Sequence, residues 1–565
     1  MLKLKDVRKL YPSIVLLIFE QWREQNNNGQ GWDIKYYKGL GTSTNDEAKE
    51  YFKNMKKITY KYTDKSDESI DLAFNKKRAD ERKEWLGGYD RNVVLDYTKP
   101  DVTYEDFIHK GLIHFSNYDL ERSIPNMIDG FKISQRKIMF ACLKRNLTDK
   151  EIRVAQLASY VSEHSAYHHG EASLQGAIIG MAQNFVGSNN INLLKPNGQF
   201  GSRHHHGRDA AQPRYIHTLL TNLATCIFRK QDSCILKYLD DDGLSIEPEH
   251  YIPIIPMLLV NGAIGIGTGF STNIPSYDPL DIVDLLKRML QSEDLKDLNE
   301  EDDDIEPWYR GFKGEIRKIG AKYHTIGVFK RLAPTKIQVT ELPIGYCTFD
   351  FKGDLEAALD KIPDFKKYEN ESNENDVKVT LHFTSKEAVD KFMVIEANGF
   401  TKFENDFKLV NSKMLSTTNM YAFNHRGAIT KYTSAFHMIR DFYSVRLDYY
   451  AKRKAFVLGQ LQYDADIMAN KIRFIKDVIA EKVYIHKIKK TELEEYLSKN
   501  KYLLHEDSYD YIIRIPIYNL TTDKVAELEA QIQKALECIE KLRNMSTEDI
   551  WMEELDEFEK LYAKF

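Results

Sequence analysis

The chain has 565 residues, of which 42% are hydrophobic and 29% are charged. This is the composition of an ordinary globular protein, but the length exceeds what one hydrophobic core organises and predicts about three or four domains. Five cysteines stand at scattered positions without paired spacing, which argues against a disulfide framework or a zinc module and indicates a reducing compartment.

The net charge of −5 conceals a segregation of charge along the chain. Residues 122–215 contain twelve Lys or Arg against six Asp or Glu, with six histidines besides, whereas acidic residues gather elsewhere, as in 300–304. A basic segment of this kind can bind phosphates while the rest of the surface stays acidic. Half-basic stretches are common, so the pattern alone indicates little.

The first segment is a short apolar run, Ile14–Phe19, that follows several basic residues. It is followed by charged residues rather than by a small-residue cleavage site, so a buried strand or helix is predicted instead of a signal peptide. The glycines around Leu40, followed by Thr-Ser-Thr44, predict a tight turn before a capped helix that begins near Asn45. Gly87-Gly88 and Pro100 mark a boundary near residue 95.

The middle of the chain changes character once. Residues 96–235 read as compact helices and turns, with a mostly apolar helix from Leu174 to Phe185. Residues 236–425 mix helical patches with short β-rich runs and are predicted to form an α/β domain. The clearest of these runs are Ile326–Phe329, Ile337–Thr340 and Val377–Phe383.

Residues 426–565 contain two segments in which apolar residues recur at spacings of three and four. The first holds Leu461, Ala465, Met468, Ile472, Ile475 and Ile479, and the second holds Val525, Leu528, Ile532, Ala535, Ile539 and Leu542. A helix from Ser434 to Lys482 would be roughly 70 Å long at about 1.5 Å per residue. The pattern predicts an antiparallel coiled coil, and an ordinary helical bundle remains the alternative.

The segment with the strongest chemical interest is Asn192-Leu-Leu-Lys-Pro-Asn-Gly-Gln-Phe-Gly-Ser-Arg-His-His-His-Gly-Arg-Asp-Ala-Ala-Gln-Pro-Arg-Tyr215. Its glycines permit a loop with close backbone approach, and Pro213 stiffens the chain ahead of Arg214 and Tyr215. From spacing alone, a tyrosine that packs on a helix beside a solvated arginine is the more frequent arrangement. Adjacent histidines on a loop lack the fixed geometry of a zinc site, so no metal site is predicted.

This segment resembles the active-site loop of the type IIA DNA topoisomerases of eukaryotic type, and the resemblance runs along the whole chain. The other motifs that carry it are Tyr37-Lys-Gly-Leu-Gly-Thr-Ser-Thr44, Arg122-Ser-Ile-Pro-Asn-Met-Ile-Asp-Gly-Phe-Lys-Ile-Ser-Gln-Arg-Lys137, Ser165-Ala-Tyr-His-His-Gly-Glu171, Gln183-Asn-Phe-Val-Gly-Ser-Asn-Asn190, Tyr251-Ile-Pro-Ile-Ile-Pro256, Asn261-Gly-Ala-Ile-Gly-Ile-Gly-Thr-Gly269 and Asp549-Ile-Trp551.

The resemblance implies the fold of this family. It is a multidomain α/β and α architecture, with a Toprim remnant and connector over 1–95 and a winged-helix DNA-cleavage domain over 96–235. A tower domain would occupy 236–425. A long antiparallel coiled coil with a C-terminal dimer gate would occupy 426–565.

The resemblance also implies that Tyr215 attacks a DNA phosphodiester and holds the 5′ end as a phosphotyrosine. That ester retains the energy of the linkage, so the 3′-hydroxyl can reverse the attack. A phenol with a pKa near about 10 needs assistance at neutral pH, and the guanidinium fork of Arg214 suits the oxygens of the transition state. Arg136, His168 and His169 are implied to lie at the same phosphate.

The implied DNA-positioning residues are Arg82, Lys83, Lys132, Tyr167 and Gln183. From the sequence alone, Arg82 and Lys83 would be a solvated helix face and Tyr167 a core aromatic residue.

Ile266 corresponds to the family's wedge residue, which intercalates between base pairs and bends the DNA. An apolar wedge between glycines suits that purpose. The alternative is a tight β-turn with a buried isoleucine. Ile264 stands where many relatives carry an acidic residue, which leaves the details of bending open.

Two parts of the family pattern are absent from this sequence: the glutamate and Asp-x-Asp-x-Asp cluster of the Toprim domain, and the ATPase domain with its nucleotide-binding glycines. The resemblance therefore implies that Mg²⁺ and ATP serve the complete enzyme with ligands outside this chain. The implied partners are double-stranded DNA, a second copy in a homodimer, and a chain or N-terminal region with ATPase and Toprim domains. No membrane is expected as a partner. The expected location is the nucleus for a cellular protein or the host cell for a viral one, and not the exterior.

Two functions follow from these observations. The chain is either the catalytic core of a type II topoisomerase that needs complementation, or a DNA-binding and DNA-bending dimer that does not cleave. The Arg214-Tyr215 pair favours the first. A tyrosine recombinase is disfavoured because the surrounding motifs belong to a different scaffold.

Overall fold

The computed structural model describes residues 2–6, 9–10, 22–36, 41, 43–53, 55, 57–96, 99–241, 243–292, 298–320, 322–411, 415–483 and 488–565. The predicted element at Ile14–Phe19 and most of the turn around Leu40 lie outside these residues. The chain divides into two compact units. The first comprises Met1–Glu121 with Gly267–Phe270, and the second comprises Arg122–Ile266 with Ser271–Phe565.

The first unit is built from short strands and helices. Its strands are β1 (Leu2–Asp6), β2 (Lys9–Leu10), β3 (Asp33–Tyr36), β4 (Thr59–Lys61) and β5 (Asp101–Thr103). Its helices are α1 (Asn45–Lys53), α2 (Ser66–Phe74), α3 (Ala79–Gly87), α4 (Tyr104–Phe107) and α5 (Ile113–Ser123), the last ending within the second unit. Strands β1, β2 and β3 form an antiparallel sheet with β1 in the centre.

Two local features of the first unit follow from its sequence. The hydroxyl of Thr44 accepts from the amide of Glu47 at 3.3 Å, and the Glu47 carboxylate accepts from the amide of Thr44 at 2.7 Å. This reciprocal cap starts helix α1 where the sequence predicts it. Strand β4 pairs with β5 in parallel, and this pairing brings the residues after 100 into the first unit, which extends past residue 95 to Glu121.

The second unit contains the main helical core. Its helices up to residue 303 are α6 (Ile133–Lys144), α7 (Val154–His164), α8 (Glu171–Ala182), α9 (Asn222–Ile227), α10 (Met257–Asn261), α11 (Pro279–Gln291) and α12 (Glu300–Asp303). Antiparallel hairpins or pairs are formed by β6 (Ile152–Arg153) with β7 (His217–Thr218), β8 (Tyr238–Asp241) with β9 (Leu244–Pro248), and β10 (Ala263–Ile266) with β11 (Ser271–Ile274).

A mixed sheet-and-helix region follows within the same unit. A four-stranded antiparallel sheet has the order β14 (Val328–Ala333), β15 (Lys336–Glu341), β17 (Val379–Phe383), β16 (Phe365–Asn370). A second sheet has the order β12 (Glu315–Ile319), β13 (Lys322–Ile326), β18 (Val410–Asn411). The helices of this region are α13 (Thr348–Lys361), α14 (Lys386–Phe392) and α15 (Lys402–Asp406), and the hairpin β19 (Met420–Phe423) with β20 (Ile429–Tyr432) follows.

The last part of the second unit is dominated by long helices. They are α16 (Ala435–Ile479), α17 (Lys490–Lys499), α18 (Asp510–Ile513), α19 (Thr522–Asn544) and α20 (Thr547–Tyr562). Lys476 Nζ lies 2.7 Å from a carboxylate oxygen of Glu529, and Lys454 Nζ donates to the carbonyl of Arg543 at 3.0 Å. The order of these two contacts makes α16 and α19 antiparallel.

Six of the twelve residues of the predicted apolar seam are buried. The buried ones are Ala465, Ile472, Ile475, Val525, Leu528 and Ile539, whereas Ile479 at the end of α16 is 43% exposed. Helix α20 returns to the main core, where Trp551 is fully buried and donates from its indole to the carbonyl of Ile254 at 2.9 Å. Among the described residues, no helix combines the length and apolar character that crossing a membrane requires.

Candidate active site

The site is built around a braced loop, defined here as residues 198–211. The side-chain amide of Gln183 donates to the carbonyls of Phe200 at 2.9 Å and of Gly207 at 3.3 Å. Gln183 directly follows helix α8, which ends three residues earlier than predicted, and its backbone is extended. A side chain at the end of a rigid helix therefore pins both arms of the loop.

Two glycines make room for this pin. A Cβ on Gly201 would lie 2.6 Å from the backbone of Gly207, and a Cβ on Gly207 would lie 2.5 Å from the Gln183 amide nitrogen. Both glycines have positive φ, which L side chains rarely adopt. These positions therefore require glycine for space as well as for backbone conformation.

Polar bonds close the loop further along. Asp209 accepts from both the amide and the hydroxyl of Ser202, at 2.8 and 2.5 Å. Burial opposes ionisation of Asp209, but the Ser202 donors hold the pKa of its carboxyl below the usual value. The amide of Ala211 donates to the carbonyl of Gln199 at 2.8 Å. These hydrogen bonds hold the two ends of the braced loop next to each other.

Tyr215 follows the braced loop in a turn that rests on helix α7. The amides of Ala155 and Val154 donate to the carbonyls of Pro213 and Ile216, at 3.1 and 3.0 Å. Ile216 is 2% exposed, whereas Tyr215 is 67% exposed. The backbone is therefore fixed at the start of a helix while the phenol faces outward.

Arg214 is exposed beside Tyr215, and its guanidinium carbon lies 5.0 Å from the centre of the tyrosine ring. A phenolic oxygen and a guanidinium fork are thus presented together on one turn. The alternative of a tyrosine packed on a helix does not describe this exposed ring.

Arg136, predicted to lie at the scissile phosphate, is largely buried in a local ion pair. It is 8% exposed, and its guanidinium donates to both carboxylate oxygens of Asp129, at 2.7 and 3.1 Å, and to the carbonyl of Phe131. Burial lowers the pKa of Arg136, but the Asp129 carboxylate outweighs it and the pKa is raised. Arg136 is thus engaged in a buried pair that orders its own segment, and its role at the phosphate stays a prediction.

The turn that carries His168 and His169 follows helix α7. Ala166 has a φ of 47°, a left-handed conformation that is uncommon for a residue with a Cβ. His168 Nε2 lies 3.1 Å from a carboxylate oxygen of Asp241, and the rings of Tyr167 and His169 meet edge to face at 5.4 Å. Tyr167 also packs against the main core, which fits its alternative as a core aromatic residue.

The hairpin β10–β11 carries the predicted wedge. Ile266 is 80% exposed and Ile264 is 53% exposed, and alternate strand residues share one face. The alternative of a turn with a buried isoleucine is therefore wrong. Lys132 Nζ donates to the carbonyl of Ile264 at 2.8 Å, and burial lowers the pKa of its ammonium. A Cβ on Gly265 would lie 2.2 Å from the carbonyl of Ser123, so glycine is required there.

Arg82 and Lys83 belong to the first unit. The Arg82 guanidinium donates to the carbonyls of Leu72 and Asn75, at 2.7 and 3.2 Å, and the residue is 9% exposed. The solvated-face alternative is therefore wrong for Arg82, which caps the end of helix α2. Lys83 pairs with Asp80 at 2.8 Å.

Two buried ion pairs that support this site have no signal in the sequence. Arg203 pairs with Glu341, and Lys137 pairs with Glu247 while donating to the carbonyl of Ser165 in the histidine turn. The partners are 138 and 110 residues apart, so no local pattern connects them. Among the described residues, no group of three or more His, Cys, Asp or Glu side chains could hold a metal ion.

Two family descriptions match the chain. Residues 122–556 match the family of the A subunits of DNA gyrase/topoisomerase IV, and residues 9–120 match the C-terminal associated domain of TOPRIM. Because the first match extends over most of the chain, the chain belongs to the DNA gyrase/topoisomerase IV family of A subunits.

Within that family, the similarity is to proteins named DNA topoisomerase 2. That of Plasmodium falciparum is 40% identical over 97% of this chain and 41% of its own length, and that of Arabidopsis thaliana is 39% identical over 99% and 40%. The crystal structure of the P. falciparum topoisomerase II DNA-binding, cleavage and re-ligation domain matches with a TM-score of 0.82 at 39% identity, covering 100% of this chain and 79% of that one. The chain thus spans about two fifths of the length of these curated relatives.

Proposed function

We propose that this chain is the DNA-breakage and reunion core of a type II DNA topoisomerase, with Tyr215 as its nucleophile. The observation that carries the proposal is the exposed phenol of Tyr215 beside the guanidinium of Arg214, on a turn fixed to helix α7. The names and title of the similar proteins support it. No observation on the described residues favours the non-cleaving alternative.

The proposed step is a transesterification. Tyr215 Oη attacks the phosphorus of a DNA phosphodiester, and the bond between phosphorus and the 3′-oxygen breaks. The phenol loses its proton, the leaving 3′-oxygen gains one, and the 5′ end remains on Tyr215 as a phosphotyrosine. No oxidant or water is consumed, so the 3′-hydroxyl can attack the ester and restore the DNA.

The neighbouring residues assist in different ways. Arg214 binds the non-bridging oxygens as charge develops on them, which a planar guanidinium does through two parallel hydrogen bonds. His168 and His169 approach the same phosphate from the turn after α7. Arg136 is assigned to the same phosphate, with its Nε and one terminal nitrogen held by the carboxylate of Asp129.

DNA binding is assigned to Arg82, Lys83, Lys132, Tyr167 and Gln183. Lys132 has three donors, so its ammonium can hold the carbonyl of Ile264 and a phosphate together. The exposed side chain of Ile266 enters the base stack and bends the duplex that is to be cut. The transient double-strand break then lets a second duplex pass.

The proposed domains are those of the family. Residues 1–95 form the closing part of a Toprim domain and a connector, and 96–235 a winged-helix domain with the catalytic tyrosine. Residues 236–425 form the tower, and 426–565 the coiled coil with the dimer gate. Ile517 and Tyr518, which are 73% and 79% exposed, offer an apolar surface to a second copy there.

The complete enzyme uses Mg²⁺ and ATP, and a chain or N-terminal region with ATPase and Toprim domains supplies their ligands. The protein acts on double-stranded DNA as a homodimer, in the nucleus if it is cellular or in the host cell if it is viral.

The test is the substitution Tyr215→Phe, which removes only the nucleophilic oxygen. The chain is mixed with the ATPase and Toprim region of a similar DNA topoisomerase 2, and covalent protein–DNA adducts are trapped with denaturant. Wild type should form adducts linked to the 5′ end, and the variant should form none while its affinity for duplex DNA is retained. Adducts that persist in the variant would remove Tyr215 from this role.

A further inference from the structure

We propose that the buried pair of Arg203 and Glu341 is a positioning device for Tyr215, because it anchors the braced loop to the four-stranded sheet. The catalytic part of this inference rests on the proposed function. Arg203 lies in a short 3₁₀ helix (Arg203–His205) in the middle of the braced loop, and Glu341 ends strand β15 of the sheet.

The contact is a two-pronged pair whose carboxylate also accepts two backbone hydrogen bonds. Both terminal nitrogens of Arg203 donate to the Glu341 carboxylate, and one also donates to the carbonyl of Leu342 at 3.2 Å. The carboxylate further accepts from the amides of Lys313 at 3.1 Å and Leu342 at 2.8 Å. Side-chain exposure is 9% for Arg203 and 1% for Glu341. Such geometry fixes direction as well as distance.

The free-energy cost of burying Arg203 and Glu341 indicates that the pair specifies a position rather than adding stability. Burial lowers the pKa of Arg203 to about 10, so the guanidinium stays protonated at neutral pH. The free-energy cost of removing two charges from water offsets most of their mutual attraction. Apolar residues of similar volume at the same positions often stabilise a fold to the same extent. A buried pair therefore serves best where one register must be specified.

A continuous set of bonds leads from this pair to Tyr215. Ser202, beside Arg203, bonds twice to Asp209, and Gln183 pins both arms of the loop. The amide of Ala211 is bonded to Gln199, and four residues later the turn of Tyr215 rests on α7. Movement at Arg203 would therefore shift the segment that leads to the nucleophile.

The proposal has a readout that does not depend on cleavage. The amides of Ser202, Gly207 and Ala211 are all hydrogen-bonded within the braced loop, so their hydrogen exchange in the full chain reports its order. The variant R203M/E341Q removes both charges together and keeps an amide oxygen for one of the two backbone donors, those of Lys313 and Leu342, that the carboxylate binds. We expect these three amides to exchange at least about tenfold faster in the variant.

The second readout is phosphotyrosine formation in the complemented assay. We expect the rate to fall by about 100-fold, the scale of effect when a reacting group is misplaced by about 1 Å. DNA affinity should change by less than about twofold, because the pair is buried and contacts no phosphate. Arg203→Lys keeps the charge but loses the fork, so it should give smaller changes of the same kind and serves as a second variant if the first does not fold.

The matched control is Glu554→Gln, which breaks another largely buried pair, with Arg453 at 2.7 Å, elsewhere in the second unit. It should leave loop exchange and cleavage near wild type. Unchanged loop exchange, or wild-type cleavage despite faster exchange, would overturn the inference. So would an equal loss of cleavage in Glu554→Gln. If wild type forms no adduct, the proposed function fails, and hydrogen exchange alone still decides whether the pair anchors the loop.

Discussion

The braced loop and the hairpin β10–β11 both present an exposed side chain, but they hold it in different ways. Tyr215 follows a loop whose arms are joined by the side-chain amide of Gln183 and a serine–aspartate pair, and a buried ion pair ties that loop to a sheet. Ile266 stands on a two-stranded hairpin, where the ammonium of Lys132 bonds to the carbonyl of Ile264 and Gly265 approaches Ser123 closely.

This difference corresponds to the two roles proposed for these residues, a nucleophile and a wedge. A nucleophile needs its oxygen within a fraction of an ångström of the line of attack, so many directional bonds fix its backbone. A wedge needs apolar volume at the surface, and its contact with stacked bases is not directional. The structure therefore places dense polar bonding behind Tyr215, the proposed nucleophile, and a simple exposed strand behind Ile266, the proposed wedge.

After the complete loss of adducts expected for Tyr215→Phe, the largest effect is expected at Arg214. Arg214→Lys keeps the positive charge and loses the planar fork, so cleavage should slow by about 100-fold or more while DNA affinity changes little. Quench-flow measurement of adduct formation checks this. The control is Arg208→Lys, an exposed arginine of the braced loop, which should stay near wild type. Near wild-type cleavage by the Arg214 variant would make that residue structural.

A second effect is expected in the hairpin. Ile266→Ala removes three carbon atoms and should weaken the bent DNA complex by about 2 kcal/mol, with little effect on initial binding. Energy transfer between the ends of a labelled duplex measures the bend. Leu332→Ala, at an apolar residue of β14 that is 49% exposed, is the control. A duplex bent as strongly by the Ile266 variant would leave the wedge without a role.

A smaller effect is expected for Lys132, the residue proposed to join the hairpin to DNA. Lys132→Met should lower the slope of log affinity against log salt by about 0.9, the share of one phosphate contact, and should reduce bending partly. Binding titrations at several salt concentrations check the slope. An unchanged slope with lost bending would mean that Lys132 acts only through the carbonyl of Ile264.

The smallest effect concerns pH. The pKa of Asp209 is held below its usual value by Ser202, so its contribution to loop stability is present above an unfolded pKa of about 3.9 and is lost as the pH falls through the lower folded value. Protection factors of the Ser202 amide between pH 6 and pH 3 should therefore decline in wild type. In Asp209→Asn they should be low and flat, and a wild-type profile that is also flat would contradict the assignment.

Local and periodic features of this fold are predictable from sequence. The cap at Thr44 involves residues three apart, and the seam between α16 and α19 follows helical spacing, so both depend on information within one segment. The apolar pattern predicts helix α8 over 174–185, but the helix spans Glu171–Ala182, because the pattern does not show that Gln183 leaves the helix to bind the loop.

The candidate site is predictable only in part. Neighbouring residues such as Arg214 and Tyr215 stay together in any fold, whereas the pairing of Arg136 with Asp129 forms because the core closes over both residues. The pair of Arg203 and Glu341 depends on the meeting of a loop and a strand far apart in sequence. Burial and long-range pairing are tertiary properties, and no motif in one sequence contains them.

The return of α20 to the core means that the long-helix segment between Lys454 and Arg543 starts and ends at neighbouring points of the fold. The side chain of Lys454 reaches the carbonyl of Arg543, so the polypeptide leaves and re-enters the body at almost one place. Everything between these residues is topologically an insertion with adjacent ends. Segments with adjacent ends are exchangeable. A short turn between residues 454 and 543 could replace the whole segment and leave the rest of the second unit able to fold. A segment of another length could equally be grafted at the same position.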